Sequence, residues 1–226
     1  MSRRCFIAGA GEYSGKYVPR DGDYVIAADA GLTHLGARGI AADLVVGDFD
    51  SLGVRPEHPN ILQSPFEKDD TDLMLAVNEA LSRGYDTLII DGGLGGRLDQ
   101  TLANLQILAN IAGRSARAVL LGSGMCATAV KDGAVHFSLG CLAQQSGENI
   151  PETEGKRFVS VFCAGGSAFG VSLRGLKYPL SDAVLTHDYP LGVSNEFTKN
   201  TAEIAVKDGT LIVIWTGGME ILKGIM

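Results

Sequence analysis

The chain has 226 residues, 46% of them hydrophobic and 20% charged, with 30 glycines and a formal net charge of −7. This is the composition of a globular protein with enough chain for one large domain or two modest ones. No apolar run approaches the ~20 residues of a membrane span, and the acidic balance argues against a surface that tracks nucleic-acid phosphates.

The opening MSRRCFIAGAGEYSG is basic and then apolar, but its apolar run stops at Ala10 without a cleavage-site pattern. A first strand over Cys5–Ala8 and a cytoplasmic protein are expected. Cys5, Cys126, Cys141 and Cys163 stand without a C-x-x-C pair, which predicts reduced thiols rather than a zinc site or a disulfide framework. Further β-branched, apolar runs predict strands at Tyr24–Ala28, Leu44–Val46, Thr87–Ile90 and Ala118–Leu121. Between them, Leu73, Ala76, Val77, Ala80 and Leu81 recur at helical spacing, as do Leu98, Leu102, Leu105, Ala109 and Ala112. Strands alternating with helices favour a parallel sheet covered by helices. Beyond about Leu121 the texture changes to short alternating segments, FVSVFC, AVLTH, AEIAVKD and LIVIW, separated by turn residues. An antiparallel sandwich or barrel is expected there, with QQSGENIPETEGK as an exposed loop inside it.

Ligands of open α/β sheets bind outside the carboxyl ends of the strands, and those ends are acidic here. Asp29 follows YVIAA, Asp48 and Asp50 follow LVVG, and Asp91 follows TLII. If the chain stays extended past Gly47, Asp48 and Asp50 point to one side. A second acidic set, EKDDTD, precedes a helix. Capping by Asp69 or Asp70, with Asp72 near the positive end of the helix dipole, accounts for one or two of its members. Five carboxylates within 25 residues (Asp48, Asp50, Asp69, Asp70, Asp72) would repel one another without a cation. Oxygen ligands of this kind suit Mg²⁺ shared with substrate phosphates.

The stretch DGGLGGRLDQTLANL places Gly92, Gly93, Gly95 and Gly96 between a strand and a helix, where main chain can approach a phosphate. Arg97 suits a bidentate bond to phosphate, and Asp99 suits a ribose, a water or an N-terminal cap. Arg97, Thr101 and Asn104 share one stripe of the helix, distinct from that of Leu98, Leu102 and Leu105. No P-loop is present, and Gly9-Ala-Gly11 is a partial glycine fingerprint with Ser14 where a third glycine would fall. His34, His58, His136 and His187 show no metal-ligand spacing, and Trp215 in its apolar run is expected in the core, with stacking on a flat cation as the alternative.

In order along the chain, ADAGLTHL, VVGDFDSLG, KDDTDLMLA, GGLGGRLDQTLANL and GVSNEF resemble the thiamine pyrophosphokinase (thiamine diphosphokinase) family. The combination of GDFDS, KDxTD and GGRLD carries the resemblance. It implies a Rossmann-like α/β nucleotide- and metal-binding domain over 1–122, a β-sandwich thiamine-binding and dimerisation domain over 123–226, and a homodimer with sites near the subunit interface. It also implies an enzyme, a transferase that moves the terminal pyrophosphate of ATP onto thiamine and leaves AMP. By motif, Asp48, Asp50 and Asp72 match the Mg²⁺ ligands, with Asp69 beside them. Lys68, Asp69, Gly95, Gly96, Arg97 and Asp99 match contacts to ATP, as does Asp29. Ser194, Asn195 and Glu196 match the stretch against thiamine. The catalytic set so implied is Asp48, Asp50, Asp72 and Arg97. Two departures stand out: ADAGLTHL lacks the family's double glycine and asparagine, and Gln100 replaces a frequent histidine. A pyrophosphokinase for another hydroxymethyl heterocycle such as a pterin, a magnesium-dependent nucleotide hydrolase and a non-catalytic nucleotide- or thiamine-binding protein are the alternative readings.

Overall fold

Unbroken apolar runs in the first half are the pattern of parallel strands covered on both faces. The computed structural model describes residues 2–49, 56–63, 70–122, 124–139 and 157–224. The chain divides into two units, Met1–Ile107 with Ser115–Ser123 and Leu108–Arg114 with Gly124–Met226.

In the first unit β1 (Arg4–Ala8), β2 (Tyr24–Ala28), β3 (Leu44–Gly47), β4 (Ile61–Gln63), β5 (Thr87–Asp91) and β6 (Arg117–Leu121) lie in the order β6-β5-β1-β2-β3-β4. Each neighbouring pair is parallel. Cys5 to Ala8 and Leu88 to Ile90 are fully buried. The short β4, at the edge, has no clear signal in the sequence. α1 (Gly31–Gly36) packs on β1 and β2, and α2 (Asp72–Ser82) packs on β1, β2 and β3. α2 buries Leu73, Ala76, Val77 and Ala80, the predicted stripe. Its cap, however, is Thr71, whose hydroxyl accepts the Met74 N–H at 3.2 Å, rather than Asp69 or Asp70. Because β1 continues to β2 on one side while β5 lies on its other side, the strand order reverses there. The crevice of such a sheet opens at the carboxyl ends of those strands.

α3 (Leu98–Gly113) follows β5. Its apolar stripe departs from expectation, since Leu98 and Leu102 are 73% and 56% exposed while Asn104, Ile107, Leu108 and Ile111 are buried. The covered face is that of Ile107, Leu108 and Ile111, and Asn104 lies on it because its amide donates to the Gly93 carbonyl at 2.9 Å.

The second unit holds β7 (Met125–Lys131), β8 (Ala134–Ser138), β9 (Phe158–Cys163), β10 (Ser167–Arg174), β11 (Leu180–Thr186), β12 (Gly192–Glu196), β13 (Thr201–Ala205) and β14 (Thr210–Thr216). They form two antiparallel layers, β12-β9-β14-β7 and β11-β10-β13-β8. Leu211, Val213 and Trp215 alternate inward along β14. Trp215 meets Phe137 of β8 edge-on at 5.3 Å between ring centroids, and its Nε1 donates to the Gly218 carbonyl at 3.0 Å. It is therefore core, as its apolar run predicts. The QQSGENIPETEGK stretch lies outside the described residues.

Candidate active site

Two glycine-bearing turns, one after β1 and one after β5, are locked back to back. Gly9 N–H donates to the Asp91 carbonyl at 2.7 Å, and Gly11 N–H donates to the Gly92 carbonyl at 3.1 Å. A Cβ on Gly11 would lie 2.5 Å from the Gly92 oxygen, and one on Gly92, at φ +81°, would lie 2.7 Å from the Gly9 oxygen. Only glycine permits this approach. The Asp91 carboxylate is wholly buried and accepts from Ser14 N–H at 2.7 Å, Ser14 Oγ at 2.8 Å, Gly15 N–H at 3.1 Å and Gly92 N–H at 2.9 Å. Those four donors offset its loss of water. Asp91 thus ties the two turns together.

These turns form one wall of a cleft of about 690 Å³. The wall continues through Gly95, Gly96 and Arg97 to the start of α3, where Asn104 Nδ2 donates to the Gly93 carbonyl at 2.9 Å. Thr101 Oγ1 reaches the Gly95 carbonyl at 3.3 Å. Arg97 pairs with Asp99, Nη2 to Oδ2 at 2.6 Å and Nε to Oδ1 at 3.2 Å. That bond holds the Asp99 carboxyl below the usual carboxylate range and raises Arg97.

The opposite wall carries the acids. Asp29, 8% exposed, follows β2 in a left-handed conformation (φ +49°), its N–H donating to the Val46 carbonyl at 2.8 Å. Asp48 follows β3, and Asp72 opens α2; all three face the cleft. Their proximity is visible at Gly47, where a Cβ would lie 3.3 Å from Asp29 Cα and 3.5 Å from Asp72 Oδ1. The chain does not stay extended past Gly47: the strand ends there and Phe49 is left-handed at φ +63° while only 4% exposed, with Asp50 outside the described residues. A bulky residue rarely adopts that conformation, and burial of its ring offsets the strain.

The cleft therefore gathers Asp29, Asp48, Asp72, Gly95, Gly96 and Arg97, together with Gln100. Asp99 stands beside it, engaged with Arg97. Asp50, Lys68 and Asp69 lie outside the described residues. Ser194, Asn195 and Glu196 belong to β12 in the second unit. Asn195 is 3% exposed and works as a clamp, its Oδ1 accepting Tyr178 N–H at 2.9 Å and Glu196 N–H at 3.0 Å, its Nδ2 donating to the Tyr178 carbonyl at 2.7 Å. Glu196 pairs with Lys177 at 2.9 Å, and Ser194 is exposed at φ +57°. Sequence reasoning missed Glu12, which lines the same cleft, because it sits in a polar turn without periodicity. Asn104 was visible on its stripe, though not as the support of Gly93. The histidines of the first unit are occupied elsewhere, His34 stacked on Tyr13 and His58 bonded to the carbonyls of Ala42 and Asn60.

An acidic wall facing a glycine wall suits a polyphosphate held with a divalent cation. Residues 16–120 match the family model for the thiamin pyrophosphokinase catalytic domain, and residues 148–211 match that for the thiamin pyrophosphokinase vitamin B1 binding domain. The thiamine pyrophosphokinase of Bacillus subtilis (strain 168) is 30% identical over 195 residues, which cover 84% of this chain and 85% of that protein. The crystal structure of thiamine pyrophosphokinase from Bacillus subtilis superposes with a TM-score of 0.77 at 25% identity, covering 95% of this chain and 99% of that one. A thiamin pyrophosphokinase family protein from Enterococcus faecalis gives a TM-score of 0.74 at 28% identity, over 96% of this chain and 100% of that one.

Proposed function

The chain belongs to the thiamin pyrophosphokinase family, and from that premise we propose that it transfers the terminal pyrophosphate of ATP to the hydroxyethyl oxygen of thiamine, giving thiamine diphosphate and AMP. The observation that carries this reading is the single cleft in which Asp48 and Asp72 face the glycine turn of β5 and α3. In the reaction the thiamine oxygen bonds to the β-phosphorus, the bond from that phosphorus to the oxygen of the α-phosphate breaks, and AMP departs with it.

Such transfers ask a protein for charge neutralisation and in-line placement more than for covalent chemistry. In this reading the main chain of Gly95 and Gly96 cradles the polyphosphate, with Asn104 fixing the turn through Gly93. Arg97 offsets phosphate charge after exchanging its bond to Asp99 for one to phosphate. Asp29 contacts the nucleotide, and Lys68, Asp69 and Asp99 complete its binding. The carboxylates of Asp48 and Asp72, all-oxygen donors lining one cleft, fit Mg²⁺, and Asp50 is assigned to the same set. When bound, the ion neutralises the oxygens of the triphosphate. A carboxylate of the same wall accepts the hydroxyl proton.

Thiamine is assigned to the stretch Ser194 to Glu196, with Ser194 turned outward by its left-handed backbone and Asn195 holding the strand in register. We assign the first domain, 1–122, to nucleotide and metal and the second, 123–226, to thiamine and dimerisation. A homodimer is supported by Phe158 and Phe162, exposed four residues apart on one face of β9, and by Val193 on β12. A cytoplasmic location is supported by Cys5, Cys126 and Cys163, none of which is in a disulfide. No described helix is long and apolar enough to cross a membrane.

The test is direct. Protein incubated with Mg²⁺, ATP and thiamine is expected to yield AMP and thiamine diphosphate in equal amounts. ADP as the sole nucleotide product, or AMP formed without a thiamine product, would overturn the assignment.

A further inference from the structure

The segment after β1 is an arch pinned at both ends. At its start Gly11 N–H donates to the Gly92 carbonyl at 3.1 Å. At its end Ser14 gives two bonds, of 2.7 and 2.8 Å, to the buried Asp91 carboxylate, and Gly15 adds a third at 3.1 Å. Between them the Tyr13 ring stacks on His34 with centroids 5.0 Å apart. Glu12, exposed, stands on this arch and reaches across the cleft wall. Its Oε1 accepts the Gly96 N–H at 3.0 Å, and its Oε2 lies where a Cβ on Gly95 would come within 2.5 Å. The chain's own carboxylate is thus seated on a main-chain donor of the glycine turn, in the cleft that Asp48 and Asp72 also face.

We infer that Glu12 competes with the phosphates of the nucleotide for the Gly95–Gly96 turn and thereby sets the affinity of the cleft for ATP. The identity of the competing anion rests on the pyrophosphokinase reading; the competition itself rests on the Glu12–Gly96 bond. A carboxylate oxygen and a phosphate oxygen are the same kind of acceptor for a main-chain N–H, and one donor serves one of them well at a time. Because the backbone is tied at Gly11 and Ser14, Glu12 yields by rotating its side chain, a fast and inexpensive motion for an exposed residue. The bond to Gly96 is exposed, so it is a weak latch that an anion with several contacts displaces. A carboxylate that remained in place would add to the acidic charge facing the polyphosphate.

The experiment is calorimetric titration of ATP with Mg²⁺, and separately of adenosine, into the wild-type chain, Glu12→Gln and Glu12→Ala, without thiamine. Both variants are expected to bind ATP about three- to tenfold more tightly, the gain from removing one competing exposed contact and one like charge, with adenosine binding unchanged. Equal or weaker ATP binding in the variants would overturn the inference, because Glu12 would then shape the turn or hold the substrate. So would an equal gain for adenosine, which has no phosphate to compete with, or a failure of every chain to bind ATP. Turnover of the wild-type chain is read separately. A chain that binds ATP but makes no thiamine diphosphate loses the pyrophosphokinase reading and keeps Glu12 as a competitor, whereas equal ATP affinities remove the competitor and leave the pyrophosphokinase reading intact. Glu12 is exposed, so both variants are expected to fold, and a thermal melt within a few degrees of wild type is the check.

Discussion

On one side of the cleft Asp29, Asp48 and Asp72 present side-chain carboxylates from the ends of β2 and β3 and the start of α2, whereas on the other Gly92 to Gly96 present main chain, held by Asn104 and Asp91. The acids contribute charge, and of the three Asp48, outside any helix or strand, is expected to matter to chemistry more than to the fold. The glycines contribute shape, and that shape is also a structural joint, since the turns of β1 and β5 interlock through Gly9, Gly11 and Gly92. Function and stability are thus expected to separate at Asp48 and to be fused at the glycine turns.

Substitution tests this contrast, most sharply on the acid side. Asp48→Asn removes a charge without changing size, and AMP formation is expected to fall by about 10²–10³-fold or more while thermal denaturation moves little. Loss of the folded state in that variant would break the contrast. Gly92→Ala forces a Cβ onto a φ of +81° and to within 2.7 Å of the Gly9 oxygen. Unfolding in denaturant should show a loss of about 2–3 kcal/mol, with activity falling alongside; a fully stable, active protein would show that the interlock is dispensable. Asn104→Ala leaves the Gly93 carbonyl without its 2.9 Å donor in a buried place. The expected cost is about 1–2 kcal/mol of stability together with a raised KM for ATP, and an effect on stability without one on KM would make Asn104 purely architectural.

Much of this was legible along the chain. The strand Tyr24–Ala28 and all but Arg4 of the strand Arg4–Ala8 follow from apolar runs, and α2 from its stripe of Leu73, Ala76, Val77 and Ala80. The acids at strand ends were visible as candidates because position in a parallel sheet gives them a meaning. Other features resisted. Phe49 is left-handed where a strand continuing past Gly47 was expected. Thr71 takes the cap that nearby aspartates also suit, since any of these side chains can accept a helix N–H. Leu98 and Leu102 are exposed although their spacing reads as a buried stripe, because periodicity identifies the faces of a helix without saying which face is covered. Glu12 was silent altogether.

By itself the sequence determined the longer elements of the first unit, though not the short α1 and β4, and the residue chemistry at strand ends, since periodicity, side-chain branching and glycine content act over a few residues and survive in any arrangement of the chain. Tertiary structure alone decided that β1 lies between β2 and β5, and hence that the turn carrying Glu12 meets the turn carrying Gly96. That meeting joins residues 84 positions apart. It depends on how whole strands bury their apolar faces, a long-range balance of packing against chain entropy that no local pattern encodes.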